Sequence, residues 1–192
     1  MARLKIYVFR HGQSTFNRDG KFTGLIDAPL TFKGRRDAKA IAQKLKAKKF
    51  EAAFETSLKR SKDTLKEILK DHPECACVLE DDRMTERSYG GLSGKSHDEI
   101  IKKYGQEKYD DWHRGFDARP PKGESFADVE KRVKRFIRDL RVFMKKNRVN
   151  VAISAHGNSV RLFRKIMENA GKKEAVKWVI PYDNYYEYGV EL

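Results

Sequence analysis

Short apolar runs alternate with longer segments of helical periodicity along this sequence. Five runs have the length and residue types of strands, namely residues 4–9, 51–56, 76–80, 149–155 and 185–191. Between them, apolar residues recur at helical spacing over 31–48, 58–71, 96–113, 124–146 and 158–178. This alternation is typical of a sheet with helices on both faces. We therefore predict an α/β fold, a three-layer sandwich whose mostly parallel sheet has right-handed connections.

One domain is expected over residues 1–192. The length suits a single α/β domain, and the sequence contains no repeat, no low-complexity tract and no linker that would separate two folding units. The loop-rich stretch ARPPKGES, at 118–125, precedes the longest helical segment. Ser125 is the candidate N-cap of that helix, because a serine hydroxyl can accept a free backbone N–H of the first turn.

The apolar runs and the cysteines of the sequence indicate the cellular compartment. No apolar run approaches the roughly 18 residues of a membrane span, and the sequence enters its first strand within a few residues, so we expect neither a membrane segment nor a cleaved leader. Cys75 and Cys77 are one residue apart, which is too close for an ordinary disulfide, and they lack partners for a zinc site. Free thiols without a leader favour a cytoplasmic location.

The formal net charge of +14 has three interpretations. It can reflect solvated helix surfaces, such as the basic face of KRVKRFIRDLRVFMKK at 131–146. It can indicate nucleic-acid binding, or the attraction of a small anionic substrate. The basic residues are spread over several helices and form no recognised reader motif, so we expect no nucleic-acid partner. Charge alone does not decide between the other two.

Two predicted core strands end on the same pair of residues, His-Gly. The first strand runs into His11 and Gly12, and the fourth runs into His156 and Gly157. Open α/β sheets bind ligands beyond the carboxyl ends of their strands, so a matched pair of histidines at that edge indicates a site.

Arginines join the two histidines at this edge. Arg10 precedes the first His-Gly pair, and Arg60 falls in the first turn of a helix for which Ser57 is the candidate N-cap. Planar guanidinium donors and free helix N–H groups are suited to phosphate. No metal-ligand motif such as His-Glu-x-x-His is present, so we expect arginine rather than a metal ion to neutralise the anion.

A histidine in an arginine-lined phosphate pocket can act as a nucleophile, because a phosphohistidine divides one transfer into two easier steps. The leaving oxygen then needs a proton from a nearby carboxylic acid. The segment EDDRMTERSYGGLSG offers Glu80, Asp81, Asp82 and Glu86. The first three have the pattern of an exposed acidic turn, whereas Glu86 precedes an aromatic and glycine-rich loop, so Glu86 is the candidate acid.

Five motifs occur in an order that resembles the histidine phosphatase superfamily: RHGQSTFN, FTGLIDAPLTFKG, TSLKRSKDT, ERSYGGLSG and SAHGNS. Within that superfamily the sequence is most similar to the cofactor-dependent phosphoglycerate mutases, from residue 4 to about 160. The resemblance implies that His11 is phosphorylated and that Glu86 gives and takes the proton. The residues that it implies for holding the phosphoryl group are Arg10, Arg60, His156, Asn17 and the backbone of Gly157. Those that it implies for the rest of the substrate are Thr23, Gly24, Tyr89, Arg114 and Asn158.

Two activities are compatible with the same phosphohistidine. The resemblance implies a mutase that interconverts 2- and 3-phosphoglycerate with 2,3-bisphosphoglycerate as phosphoryl donor and without a metal; the alternative is a phosphatase of small phosphate monoesters. The segments WHRGFDARPP and IPYDNYYEY are mutase-like, and dimers are common among the resembling mutases, so a homodimer is a further expectation.

Four departures from the mutase pattern favour the alternative. His97 stands where mutases usually carry a lysine, and His113 where they carry the first of two arginines. The segment 121–123 lacks an insertion of typical mutases, and the sequence offers no obvious tail to cover the pocket. Imidazoles in place of permanent cations should weaken the binding of a glycerate carboxylate near neutral pH.

Overall fold

The computed structural model describes residues 3–191, which form five strands and eight α-helices. The strands are β1 (Arg3–Arg10), β2 (Ala52–Glu55), β3 (Cys77–Glu80), β4 (Val151–Ala155) and β5 (Tyr185–Glu191). The helices are α1 (Thr15–Arg18), α2 (Phe32–Leu45), α3 (Lys59–Ile68), α4 (His97–Tyr104), α5 (Gln106–Arg114), α6 (Phe126–Asn147), α7 (Gly157–Met167) and α8 (Lys172–Ala175). Short 3₁₀ turns cover Leu69–Asp71, Asp82–Met84 and Gly90–Leu92.

The strands form one sheet in the order β3-β2-β4-β1-β5. The first four strands in that order are parallel, and β5 closes the edge antiparallel to β1. In the register of the central pair, Arg10 is opposite Ala155. The residues that follow, His11 and His156, therefore leave the sheet side by side.

Helices cover both faces of the sheet, which confirms the predicted three-layer sandwich. Ile6 and Val8 of β1 belong to the core formed with α6 and α7, whereas Tyr7 and Phe9 belong to the core formed with α2 and α3. The alternation follows from the strand period of two, which points successive side chains to opposite faces. All of β4 is buried because both of its faces are covered.

Each predicted strand is confirmed to within two residues, but two predicted helices are wrong as continuous elements. The helix expected over 96–113 is divided by Gly105, whose φ of 83° ends α4 before α5 begins. The helix expected over 158–178 stops at Met167, and the chain turns at Asn169, with φ of 52°, before the short α8. In both cases the apolar spacing continues across a turn in the backbone.

The two predicted caps differ in outcome. Ser125 is confirmed, since its hydroxyl accepts the N–H of Asp128 at 3.1 Å at the start of α6. Ser57 as the cap of α3 is wrong: Leu58 is the N-cap residue, and the Ser57 hydroxyl donates to Asp82 at 2.9 Å. The carboxylate of Asp27 instead accepts the N–H of Lys59 at 2.8 Å. A distant acidic side chain thus caps the helix that carries Arg60.

A third, smaller cluster packs beside the sheet. Phe22, Tyr89, Leu92, Ile100 and Trp112 bring α4 and α5 against two loops. Phe22 and Tyr89 of this cluster line the opening at the carboxyl ends of the strands. None of the helices between residues 3 and 191 has the length and apolar character needed to cross a membrane.

Candidate active site

A cleft of about 340 Å³ opens at the carboxyl ends of the parallel strands. It is lined by Arg10, Asn17, Gly20, Lys21, Phe22, Thr23, Gly24, Glu86, Tyr89, His97, His113, Arg114, Gly157, Asn158, Arg161 and Tyr182. Among these lining residues, four side chains are cationic and only Glu86 is acidic. The four are Arg10, Lys21, Arg114 and Arg161. The cleft is therefore suited to an anionic ligand.

His11 lies just beneath the floor of the cleft and is almost fully buried. Its Nδ1 is 2.7 Å from the carbonyl oxygen of Gly12, and its Nε2 is 3.2 Å from Nε of Arg60. A carbonyl can only accept and a guanidinium can only donate, so the ring proton is on Nδ1 and the lone pair is on Nε2. Burial, reinforced by Arg60 and Arg10, holds the pKa of His11 well below 6.5. The ring is thus a neutral imidazole with a nucleophilic Nε2.

Arg60 is held rigidly at the side of this ring. Its side chain is fully buried, and its two terminal nitrogens donate to the carbonyl oxygens of Ile26 and Gly24, both at 2.7 Å. Burial lowers the pKa of Arg60 to about 10, which leaves it charged at neutral pH. The loop that carries Gly24 and Ile26 therefore fixes the direction in which Arg60 donates.

Two buried donors around His11 lack partners within residues 3–191. They are Nε of Arg10 and Nδ1 of His156, whose ring centroid lies 5.0 Å from that of His11. Nε2 of His156 is 2.8 Å from the hydroxyl of Thr56. When this hydroxyl donates to Nε2, the ring proton is on Nδ1 and can be donated. Burial, with Arg60 second, holds the pKa of His156 well below 6.5. Unpartnered buried donors are costly, and an oxyanion would satisfy both.

Glu86 also lines the cleft and is nearly buried. Its Oε1 accepts the backbone N–H of Arg87 at 2.8 Å and that of Asn158 at 3.1 Å. The two bonds fix the carboxyl group at the amino end of α7. The other three acids of the segment lie outside the cleft lining, where Glu80 pairs with Lys62, Asp81 with Arg83, and Asp82 with Ser57.

The remaining predicted residues also lie at the cleft. The Asn158 amide donates to the Tyr89 hydroxyl at 3.1 Å, and Asn17 forms the capping box of α1 with Ser14. The Thr23 hydroxyl is buried and has no hydrogen-bond partner among the described residues 3–191. A Cβ at position 157 would approach Cζ of Arg10 to 3.2 Å, so glycine allows the start of α7 to lie against that guanidinium. All twelve predicted site residues thus line the cleft or lie directly beneath it: Arg10, His11, Asn17, Thr23, Gly24, Arg60, Glu86, Tyr89, Arg114, His156, Gly157 and Asn158.

Five lining residues were not singled out from the sequence, namely Gly20, Lys21, Phe22, Arg161 and Tyr182, and three of them have a charged or polar side chain. Arg161 lies three residues after Asn158 on α7, and its guanidinium donates to the Asn158 side-chain oxygen and to the Trp178 carbonyl. Helical spacing from the SAHGNS motif could have found it. Lys21 adjoins the FTG motif in the sequence. Tyr182 lies in the mutase-like segment IPYDNYYEY, but that segment gave no reason to place it at the site, because it reaches the cleft from the loop before β5.

His97 and His113 both line the cleft as a neutral wall. The His97 ring stacks on Phe22, with centroids 4.4 Å apart and planes 4° from parallel, and its Nδ1 is 2.6 Å from the Tyr109 hydroxyl. The His113 ring meets that of His97 edge to face at 5.2 Å. Burial, with Arg114 second, lowers the pKa of His97, and the same causes lower that of His113 to about 3. Both imidazoles are therefore uncharged at neutral pH.

The arginines of the cleft have no acidic partners in the described part of the chain. Its arginine ion pairs are formed instead by Arg3, Arg18, Arg83, Arg119, Arg132, Arg138 and Arg164. Over the same residues, 3–191, no group of three or more His, Cys, Asp or Glu side chains is placed to hold a metal ion. The positive charge at the cleft therefore remains available to an anion.

Comparison with known proteins agrees with this geometry. The model of the histidine phosphatase superfamily, branch 1, matches residues 6–188. A 2,3-bisphosphoglycerate-dependent phosphoglycerate mutase 2 from Gloeobacter violaceus is 37% identical over 179 residues, which are 92% of this chain and 81% of that protein. A 2,3-bisphosphoglycerate-dependent phosphoglycerate mutase from Mesorhizobium japonicum is 38% identical over 181 residues, which are 92% of this chain and 87% of that protein.

Solved structures show the same fold at lower identity. The alpha-ribazole phosphatase from Shigella flexneri has a TM-score of 0.81 and 22% identity, with 96% of this chain and 89% of that chain covered. A mycobacterial glucosyl-3-phosphoglycerate phosphatase has a TM-score of 0.79 and 19% identity, with 98% of this chain and 97% of that chain covered.

Proposed function

Since the chain belongs to the histidine phosphatase superfamily, we propose that it is a phosphoglycerate mutase that works through a phosphohistidine on His11. The observation that carries the proposal is a second cationic pair in the cleft. Arg114 and Arg161 both line the cleft, and neither has an acidic partner among residues 3–191; burial, with Arg114 second, lowers the pKa of Arg161 to about 9. A phosphoglycerate has two anionic groups, a phosphate for Arg10 and Arg60 and a carboxylate for the second pair.

The first half of the reaction transfers the phosphoryl group to the protein. Nε2 of His11 attacks phosphorus, a P–N bond forms, and the bond from phosphorus to the leaving oxygen breaks. Arg10, Arg60 and Nδ1 of His156 donate to the phosphoryl oxygens. The carbonyl of Gly12 holds the proton on Nδ1 of His11 and stabilises the positive charge that develops on the ring. Glu86, protonated at this stage, gives its proton to the leaving oxygen.

The second half reverses these roles. A hydroxyl group of the bound phosphoglycerate attacks the phosphorus, the P–N bond breaks, and the electron pair returns to Nε2 of His11. The carboxylate of Glu86 takes the proton of the attacking hydroxyl. A mutase must also keep water from the phosphohistidine while the acceptor turns in the cleft.

The residues present fit 2,3-bisphosphoglycerate, the donor in the names of the relatives. Its chemistry would be to supply the phosphoryl group that first loads His11. The unpartnered donors at Arg10 and His156 suit one phosphate, and the cationic pair Arg114 and Arg161 suits the other acidic groups.

A second candidate activity is the hydrolysis of phosphate monoesters, and the neutral wall favours it. His97 and His113 add aromatic surface but no charge to the cleft at neutral pH. A substrate whose second group is uncharged and apolar would pack against this wall, and water would then be the phosphoryl acceptor.

³¹P NMR of the protein with 3-phosphoglycerate and a trace of 2,3-bisphosphoglycerate tests the proposal. A mutase gives 2-phosphoglycerate with little free phosphate, whereas a phosphatase gives free phosphate without isomerisation. The His11→Ala variant is the control and should give neither product. Free phosphate alone from the unmodified protein would reject the mutase in favour of the second candidate.

A further inference from the structure

An aromatic ring rests on the guanidinium of Arg10. The centroid of the Tyr182 ring lies 4.0 Å from Cζ of Arg10 and 6.5 Å from the centroid of the His11 ring. Tyr182 is half-buried and lines the cleft. It is thus the aromatic side chain of the loop before β5 that reaches the phosphoryl site.

The chain on both sides of Tyr182 is anchored. Ile180 is buried, and its carbonyl accepts a hydrogen bond from Nη1 of Arg10 at 3.2 Å. The carbonyl of Asp183 accepts one from Nζ of Lys44 at 2.7 Å. These two main-chain hydrogen bonds hold the backbone around Tyr182 in place, so that its ring stays against Arg10. The ring in turn covers a guanidinium whose Nε is buried and has no partner within residues 3–191.

We propose that Tyr182 is a positioning residue that holds Arg10 toward the phosphoryl group and keeps water from phosphorylated His11. The inference rests on the proposed phosphohistidine, and it assigns this loop the role of covering the phosphoryl site. The reaction that it suppresses is hydrolysis, in which a water oxygen bonds to phosphorus, the P–N bond breaks and Glu86 takes the water proton.

The ring rather than the hydroxyl of Tyr182 carries this role. The phenolic oxygen makes no hydrogen bond to any residue between 3 and 191, whereas the ring faces Arg10 and also lies 5.6 Å from Nζ of Lys33. A guanidinium stacks on the face of any aromatic ring, so phenylalanine should preserve the contact. Leucine keeps the approximate bulk without the π face, and alanine removes both.

The test is the fate of the phosphoenzyme. Each protein is labelled with ³²P from 2,3-bisphosphoglycerate or from p-nitrophenyl phosphate, and the rate of phosphate release to water is followed by rapid quench without an acceptor. We expect Tyr182→Leu and Tyr182→Ala to release phosphate about tenfold faster, and Tyr182→Phe to stay within about twofold of the unmodified protein. Val179→Ala is the matched control, because Val179 is on the same loop and 84% exposed.

A second readout separates positioning from a general loss of structure. With 3-phosphoglycerate present, the ratio of phosphoryl transfer to hydrolysis should fall in the Leu and Ala variants, whereas a merely structural defect would slow both reactions together. An unchanged ratio and release rate in those variants, or a Phe variant as affected as the Ala variant, would overturn the assignment. Absence of acid-labile, base-stable label on the unmodified protein would instead reject the phosphohistidine, and the inference with it.

Discussion

At the scale of single residues, partners that can only donate or only accept a hydrogen bond fix the proton positions and side-chain orientations in the site. A carbonyl on one side of His11 and a guanidinium on the other leave a single arrangement of the ring proton. Glu86 is held in a comparable way, by two backbone N–H groups on one oxygen. Both side chains are therefore oriented before any substrate binds, which is the condition for efficient proton and phosphoryl transfer.

The proton from Glu86 matters most when the leaving oxygen is a poor leaving group. We expect Glu86→Gln to lower kcat for an alkyl phosphate such as 3-phosphoglycerate by about 10²–10⁴-fold, with little change in KM. The loss should be much smaller with p-nitrophenyl phosphate, whose leaving group departs without a proton. Glu80→Gln is the matched control, because Glu80 is on an exposed edge strand and pairs with Lys62. An equal loss with both substrates would contradict the role as an acid.

The residues that sequence reasoning found and missed differ in how they reach the cleft. Arg10 ends a strand, and His11, His156 and Gly157 follow strands; the strand ends of a parallel sheet share one edge. Tyr182 approaches from the antiparallel edge loop, which strand periodicity cannot place. The neutral state of the two wall imidazoles was also beyond the sequence, since it results from packing against Phe22 and from burial.

At the scale of elements, the loop after β1 and the start of α2 meet without side chains between them. A Cβ on Gly12 would lie 2.1 Å from the carbonyl oxygen of Gly34, and a Cβ on Gly34 would lie 2.0 Å from that of Gln13. Backbone therefore packs directly on backbone at the loop that carries His11. This approach also fixes the Gly12 carbonyl that orients the nucleophile.

Gly34→Ala should therefore reverse the usual effect of this substitution in a helix. Alanine normally stabilises a helix relative to glycine by about 1 kcal/mol, but here the added methyl group must displace backbone, and overpacking costs about 1–3 kcal/mol or more. Urea unfolding should show a lower free energy of unfolding, and phosphoenzyme formation should slow as the Gly12 carbonyl shifts. Gly171→Ala, where an added Cβ would meet no atom of residues 3–191 within 4 Å beyond its chain neighbours, should change the free energy of unfolding little. A stabilised Gly34→Ala would refute the close approach.

Element types could be predicted better than their ends or their caps. The spacing of apolar residues identified every strand, because burial of one or both faces of a strand determines which of its own residues are apolar. The break at Gly105 was missed because the apolar face resumes after the turn. Asp27 was missed as the cap of α3 because it is 32 positions from Lys59 in the sequence. Long-range partners of this kind depend on the fold and have no local pattern.

At the scale of the whole molecule, four of the five histidines are held neutral around one cleft. His11, His97, His113 and His156 all have a lowered pKa, and burial is the first cause in each case. The arginines of the same cleft add to the effect. The high net charge of +14 acts in the same direction, because each further proton is added to an already positive protein.

This arrangement makes stability depend on pH with a definite sign. The unfolded chain takes up protons on these histidines below about pH 6.5, whereas in the folded protein the pKa of each is lowered, to about 3 for His113. Between the two values protonation favours the unfolded state, so the free energy of unfolding should fall as pH falls from 7 to 5. The linkage slope is about 1.4 kcal/mol per pH unit for each histidine kept fully neutral in the folded state.

Urea unfolding at several pH values between 5 and 8 measures that slope. His113→Gln removes one of the four titrating groups. The slope of the free energy of unfolding against pH should therefore decrease by up to the contribution of one histidine, about 1.4 kcal/mol per pH unit. Above pH 7 the curve should stay parallel to that of the unmodified protein. Repeating the series at about 1 M salt separates this effect from general repulsion, because salt screens exposed charges strongly and buried groups weakly. A slope that vanishes in salt, or that His113→Gln leaves unchanged, would assign the acid sensitivity to the surface charge instead of the cleft.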